Sequence, residues 1–71
     1  MANGELEIWV NGVVQRVPAG TSVEALIARL GLVPEAVAAE VERVLVPRAR
    51  RAERVLGAGE RVELVTLVGG G

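Results

Sequence analysis

Between Glu5 and Val17 the residue pattern leaves the backbone few options. From Glu5 to Val10 apolar and polar positions alternate, with Leu6, Ile8 and Val10 on one face and Glu5, Glu7 and Trp9 on the other. This is the period-two signature of a strand with one face buried. Asn11-Gly12 follows, a pair that tolerates positive φ at both central positions of a type I′ turn. Folding back on a two-residue loop sets Val10 opposite Val13, Trp9 opposite Val14, Glu7 opposite Arg16 and Leu6 opposite Val17. The register supplies an apolar rung, an aromatic rung and a charge pair. Pro18-Ala19-Gly20 ends the second strand, since proline cannot donate to a central ladder.

After the hairpin the period changes. Thr21-Ser22-Val23-Glu24 fits a capping box, with the Thr21 hydroxyl accepting at the third helical position and Glu24 reaching back. Val23, Leu26, Ile27 and Leu30 then fall on one helical stripe, and Gly31 stops the helix, with Leu32 placed for the hydrophobic contact that accompanies such a stop. Pro34 opens a new segment. Ala36 to Val41 reads as a strand, because Val37, Val41, Val44 and Val46 are β-branched and the stretch lies between breakers. Pro47 ends it. Arg48 to Arg54 reads as a short helical or 3₁₀ turn, with Val55 and Leu56 tucking back to the core, and Gly57-Ala58-Gly59 as a turn. Arg61 to Val68 is the last strand, with Val62 and Leu64 facing inward. Residues 1–4 carry no periodic signal and are expected to fray.

Hairpin, helix, strand, irregular segment and final strand make an α+β domain, a mixed sheet of four to five strands curled over one main helix. That is the β-grasp, or ubiquitin-like, arrangement, in which the last strand pairs beside the first. Seventy-one residues fill one such domain, residues 1–71. A chain this short buries only about 60% of the surface its unfolded form exposes, so the core must be dense. Trp9 is the only aromatic residue, which leaves Val, Leu, Ile and Ala to fill it.

Composition then removes most chemistry. The chain has no Cys and no His, and hence no thiolate nucleophile, disulfide, imidazole base or ordinary zinc site. Eight Arg face nine Glu for a net charge of −1, without the basic excess of a nucleic-acid binder. No apolar run approaches the ~20 residues that span a bilayer, and no secretory signal opens the chain. A soluble, cytoplasmic protein is expected.

Gly69, Gly70 and Gly71 remain. Three glycines bury no side chain and can extend about 3.5 Å per residue into a narrow channel, with a sterically open carboxylate at the end. A carboxylate becomes an acyl electrophile once ATP converts it to an acyl-adenylate. A sulfur donor can then displace AMP and leave a C-terminal thiocarboxylate, a scheme that needs no Cys. The same three residues also describe a terminus that merely frays. Along the last strand Val65 and Leu67 alternate with the inward residues and point to the opposite face of the sheet. Exposed apolar residues beside a reactive tail suggest a docking patch.

Asn11-Gly12, Val17-Pro18-Ala19-Gly20-Thr21-Ser22-Val23, the helix from Leu26 to Leu30, Val46-Pro47-Arg48, Gly59-Glu60-Arg61-Val62-Glu63-Leu64-Val65 and Val68-Gly69-Gly70-Gly71 together resemble the ThiS family. These are the ubiquitin-like sulfur carriers of thiamin biosynthesis, and the match runs over nearly the whole chain from Leu6. The resemblance implies that Gly71 is adenylated by a ThiF-type enzyme using ATP. It then receives sulfur through a cysteine-desulfurase relay and delivers it to thiazole synthase (ThiG). In that scheme the chain is a cosubstrate rather than an enzyme, holds no cofactor or metal, and binds its partners through Val65, Leu67, Val68, Gly69 and Gly70. Two departures stand out. Glu42-Arg43 occupies a turn where the family often has Asn-Gly, which leaves that turn's geometry open, and Glu60 replaces a common Asp. The MoaD-type carriers of molybdopterin synthesis and the carriers of tRNA thiolation share the fold and the glycine terminus. The short chain, the lack of Phe and the ending Leu67-Val68-Gly69-Gly70-Gly71 favour the thiamin branch. A ubiquitin-like module that binds without covalent chemistry is the alternative from another class, and it would keep full function after loss of the glycines.

Other features carry less. Arg48, Arg50, Arg51 and Arg54 form a basic cluster interrupted by Glu53, which reads as a solvated helical face. The glutamates are dispersed, so paired-carboxylate catalysis has no support, and Trp9 reads as a cover for the sheet.

Overall fold

The computed structural model describes residues 4–67. Its first hairpin joins β1 (Glu5–Val10) to β2 (Val13–Pro18) in the register the sequence predicts, from Val10 opposite Val13 to Glu5 opposite Pro18. Asn11 and Gly12 both have positive φ, 50° and 83°, as a type I′ turn requires. Of the residues expected to fray, Met1 to Asn3 lie outside the described range. The Gly4 carbonyl accepts the Ala19 N–H at 2.7 Å and so extends the hairpin by one bond.

The helix α1 spans Val23–Arg29 and buries Val23, Leu26 and Ile27 against the sheet. Its cap is Ser22 and not Thr21, a correction to the expected capping box: the Ser22 Oγ accepts the Ala25 N–H at 3.0 Å. Thr21 is engaged elsewhere. Its N–H and hydroxyl both donate to the Pro18 carbonyl, at 3.1 and 2.6 Å, while its own carbonyl accepts the Leu56 N–H at 2.9 Å. With Thr21 fastened to the preceding turn, the next hydroxyl takes the cap. At the other end Gly31 N–H bonds the Ala28 carbonyl and Leu32 N–H the Ile27 carbonyl, the paired bonds of a Schellman stop, with Gly31 at φ 73°.

A 3₁₀ turn, Pro34–Ala36, leads into β3 (Val37–Val41), so the strand starts one residue later than predicted. Glu42 and Arg43 then turn the chain into the two-residue β4 (Val44–Leu45), with φ 51° and 68°. The turn thus keeps the left-handed conformation that Asn-Gly favours, with two residues that adopt it reluctantly. Glu42 gains a local partner for it. Its carboxylate accepts the Arg61 N–H at 2.6 Å and its own N–H donates to the Arg61 carbonyl at 2.8 Å.

The segment after β4 departs further from expectation. Arg48–Arg50 forms the short 3₁₀ turn, but Arg51 is buried and not solvated. Its guanidinium donates to the carbonyls of Pro34 (3.0 Å) and Val37 (2.6 Å) and ties this segment to the start of β3. Arg54 is held by Glu60 through two bonds of 3.2 and 2.8 Å. Val55, expected inside, is half exposed and bridges Ser22, while Leu56 is buried. An extended pair alternates, so only one of the two can face in.

The last strand, β5 (Arg61–Thr66), runs parallel to β1 and antiparallel to β3, giving the sheet order β2-β1-β5-β3-β4. First and last strands are therefore neighbours, as a β-grasp demands. Val62 and Leu64 face inward as predicted, completing a core with Ile8, Val10, Val17, Val23, Leu26, Ile27, Val37, Ala39, Val41, Val46 and Leu56. The sequence pattern predicts a strand reaching Val68. It is paired through Thr66, and Val68 lies outside the described residues.

Candidate functional site

β5 is the element that carries the chain toward its glycines. On one side it is locked to β3 by five rungs, from Val37 opposite Thr66 to Val41 opposite Val62. On the other, Trp9 N–H bonds the Glu60 carbonyl and Asn11 N–H the Val62 carbonyl, both at 2.9 Å. The backbone of β1 then turns away, and the Asn11 side chain continues the ladder in its place. Its Oδ1 accepts the Leu64 N–H at 2.8 Å and its Nδ2 donates to the Leu64 carbonyl at 3.1 Å. A carboxamide presents the same donor and acceptor as a peptide group, so both backbone groups of Leu64 are satisfied where no strand backbone reaches them. A final bond, Leu67 N–H to the Ala36 carbonyl at 2.7 Å, fixes the end of the described chain. In the sequence Asn11 reads only as a turn residue. The choice of Asn, with both a donor and an acceptor, is the signal that this second role leaves in the sequence.

Val65 and Leu67 are both exposed, on the face of the sheet opposite α1. Ala38 lies across from Val65 on β3. The same face carries half-exposed Trp9 and Val14, paired across the hairpin. The expected Val68, Gly69, Gly70 and the Gly71 carboxylate lie outside the described residues. Structure therefore places two of the six predicted site residues, Val65 and Leu67, together beside the end of β5.

Electrostatics at this face are set by glutamate and arginine alone. Glu40 stands directly opposite Glu63, and with Glu42, Arg43 and Arg61 they line a surface notch of about 630 Å³. One residue before β5 the Glu60 carboxyl is held under the ordinary carboxylate value near 4.5, chiefly by its bond from Arg54 and also by the Gly57 N–H, against the opposing effect of partial burial. This pair closes the turn that feeds β5. Among the described residues no group of three or more acidic, His or Cys side chains could hold a metal ion. The Ser22 and Thr21 hydroxyls are both committed to backbone partners. The described side chains can bind and present; none is arranged as a nucleophile with a base.

No helix is long and apolar enough to cross a membrane among these residues. Comparison with known proteins points one way. The family model described as "ThiS family" matches residues 3–71. A crystal structure of a thiamine biosynthesis protein (ThiS) from Geobacter metallireducens superposes with a TM-score of 0.80 at 25% identity, over 93% of this chain and all of that one. Two curated relatives are thiazole synthases, from Magnetococcus marinus (36% identical over 66 residues) and Paramagnetospirillum magneticum (32% over 66), each match covering 93% of this chain. The chain spans about a fifth of the length of these two relatives. With the β-grasp topology, the presented end of β5 and a family match over nearly every residue, the chain belongs to the ThiS family of small sulfur-carrier proteins.

Proposed function

We propose that the chain carries sulfur on its terminal glycine for thiazole formation in thiamin biosynthesis. The observation that carries this reading is the position of β5. It is bonded on both edges and pinned at Leu67, so the residues that follow start from the centre of a rigid sheet beside two exposed apolar side chains. In the proposed reaction the Gly71 carboxylate attacks the α-phosphorus of ATP in a ThiF-type enzyme and forms the acyl-adenylate with release of pyrophosphate. Hydrosulfide, supplied as such or from a cysteine desulfurase with a reductant, then adds to the acyl carbon. AMP leaves with the electron pair, and the thiocarboxylate remains. Val65 and Leu67, with Val68, Gly69 and Gly70, hold the carrier while its end occupies the partner's active site. ATP belongs to that partner, and the carrier binds no cofactor or metal.

Thiazole synthase is the proposed acceptor of the sulfur. The stretch of about a fifth of two proteins named thiazole synthase that is homologous to this chain supports this pairing. The test is direct. Incubation with the cognate ThiF-type enzyme, ATP and sulfide should exchange one oxygen of Gly71 for sulfur, located by intact-mass and C-terminal fragment spectra. Removing Gly70 and Gly71 should abolish the exchange without unfolding the domain. An unmodified carboxylate, or a truncated chain that still supports thiazole formation, would leave the non-covalent binding module as the surviving reading.

A further inference from the structure

The face of the sheet opposite α1 is bare, and its charges are arranged in a way that the fold alone does not reward. Glu40 on β3 and Glu63 on β5 are directly opposite each other, both exposed, and among the described residues neither belongs to an ion pair. Like charges in that position destabilise a sheet. The neighbouring arginine is already shared: Arg61 Nε lies 4.0 Å from the Glu42 carboxylate, whose same oxygen accepts the Arg61 N–H. The five side chains of the notch therefore hold three carboxylates against two guanidinium groups. Two rungs further along β5 toward its end, on the same face, lies the Val65–Ala38 pair, followed by exposed Leu67. Toward its start, Arg61 is level with Trp9, which pairs with Val14. Two apolar areas thus flank an acidic rung.

We propose that this face is shaped for a protein partner that presents a lysine or arginine side chain from within an apolar surface, with the cation seated between Glu40 and Glu63. The inference rests on the carrier reading above, and it names what that partner must offer. Charge complementarity fixes the occupant. An apolar surface closing over Val65, Leu67 and Trp9 without a cation would desolvate two facing carboxylates that no ion pair compensates among the described residues, in a notch where three carboxylates outnumber the guanidinium groups of Arg43 and Arg61, an unfavourable step. A cation in the rung converts that repulsion into two charge-assisted contacts. The pair therefore rejects apolar partners that lack the cation as well as attracting those that have it, at the expense of some stability in the free protein.

Two readouts with opposite signs test this. In the free protein, Glu63→Gln and Glu40→Gln should each raise the melting temperature by about 1–4 °C, because each removes one member of a repelling pair. In calorimetry against the cognate ThiF-type adenylating enzyme, the same variants should weaken binding by about tenfold and flatten its salt dependence, and Glu63→Lys should weaken it further. A melting temperature that falls on removing either carboxylate, or an affinity within about twofold of wild type for both Gln variants, overturns the proposal. Val65→Glu separates the two levels of inference. If Val65→Glu abolishes binding and the Gln variants do not, the acidic rung alone is wrong. If the wild-type protein does not bind the enzyme at all, the carrier reading falls and this one with it.

Discussion

Asn11→Asp is the most informative single substitution in this chain. It keeps a residue that accepts positive φ, so the hairpin turn itself is undisturbed. What changes is the bridge to Leu64. The introduced carboxylate still accepts the Leu64 N–H, but at neutral pH its second oxygen carries no proton and faces the Leu64 carbonyl across the 3.1 Å now spanned by Nδ2. One hydrogen bond is lost and two acceptors oppose each other in a partly buried position. The loss and the orphaned carbonyl together cost about 1–3 kcal/mol, or about 5–20 °C in melting temperature for a domain of this size. Acid should reverse much of this. The introduced carboxyl is disfavoured in its charged form, so its pKa in the folded state lies above the unfolded value, and the deficit shrinks as pH falls through it and an O–H donor appears. Thermal melts of wild type and variant from pH 7 to pH 3 measure the gap, and amide exchange at Leu64 locates it. A variant melting within about 1 °C of wild type at pH 7, or a gap unchanged by acid, would show that Asn11 acts only as a turn residue.

Three further outcomes follow from the same contacts. Gly12→Val should lower stability by about 1–2 kcal/mol in a thermal melt through backbone strain at φ 83°, since beyond the adjacent residues no heavy atom lies within 4 Å of an added Cβ; an unchanged melting temperature would contradict the turn geometry. Val65→Glu should leave the melt intact and weaken binding to the proposed adenylating enzyme, and calorimetry showing unchanged affinity would remove Val65 from the docking face. For Glu60, whose folded pKa is depressed, the stabilising effect is present above the ordinary value near 4.5 and is lost as pH falls through the folded value. The gap in melting temperature between wild type and Glu60→Gln should therefore be widest near neutrality and close in acid, and a gap constant from pH 7 to pH 3 would refute the role given to the Arg54–Glu60 pair.

Local pattern made much of this fold legible. Alternation and Asn11-Gly12 set the hairpin register residue by residue, the stripe ending in Gly31-Leu32 set the helix and its stop, and alternation in β5 put Val62 and Leu64 inside and Val65 outside. The larger failures come from contacts that periodicity does not encode. Thr21 and Ser22 are equivalent as caps until the Thr21 hydroxyl donates to the Pro18 carbonyl. Arg51 sits in a run that looks solvated, and only the Pro34 and Val37 carbonyls, 17 and 14 residues earlier, make a place for it inside. Glu40 and Glu63 look like dispersed surface charges until the register of β3 on β5 sets them face to face.

The connection between fold and function runs through the choice of strand. In the proposed reaction the chain end enters an enzyme's active site, and any looseness in the strand that presents it would have to be frozen out at each encounter. An edge strand opens with local fluctuations, whereas a strand bonded on both sides opens only with much of the sheet. In this chain the last strand is central, and the side on which β1 turns away too early is completed by Asn11. The hairpin turn and the base of the tail are thus one structural unit, 53 residues apart in sequence. A perturbation at Asn11 should consequently reach the reaction through the seating of β5, with no contact to either ATP or sulfur. Steady-state sulfuration of Asn11→Asp at a temperature where it remains folded should show a raised KM for the carrier with kcat little changed, because the chemistry belongs to the enzyme and the presentation belongs to the strand. A fall in kcat at unchanged KM would instead mean that Asn11 influences the chemical step, and the seating of β5 would not be separable from the proposed reaction.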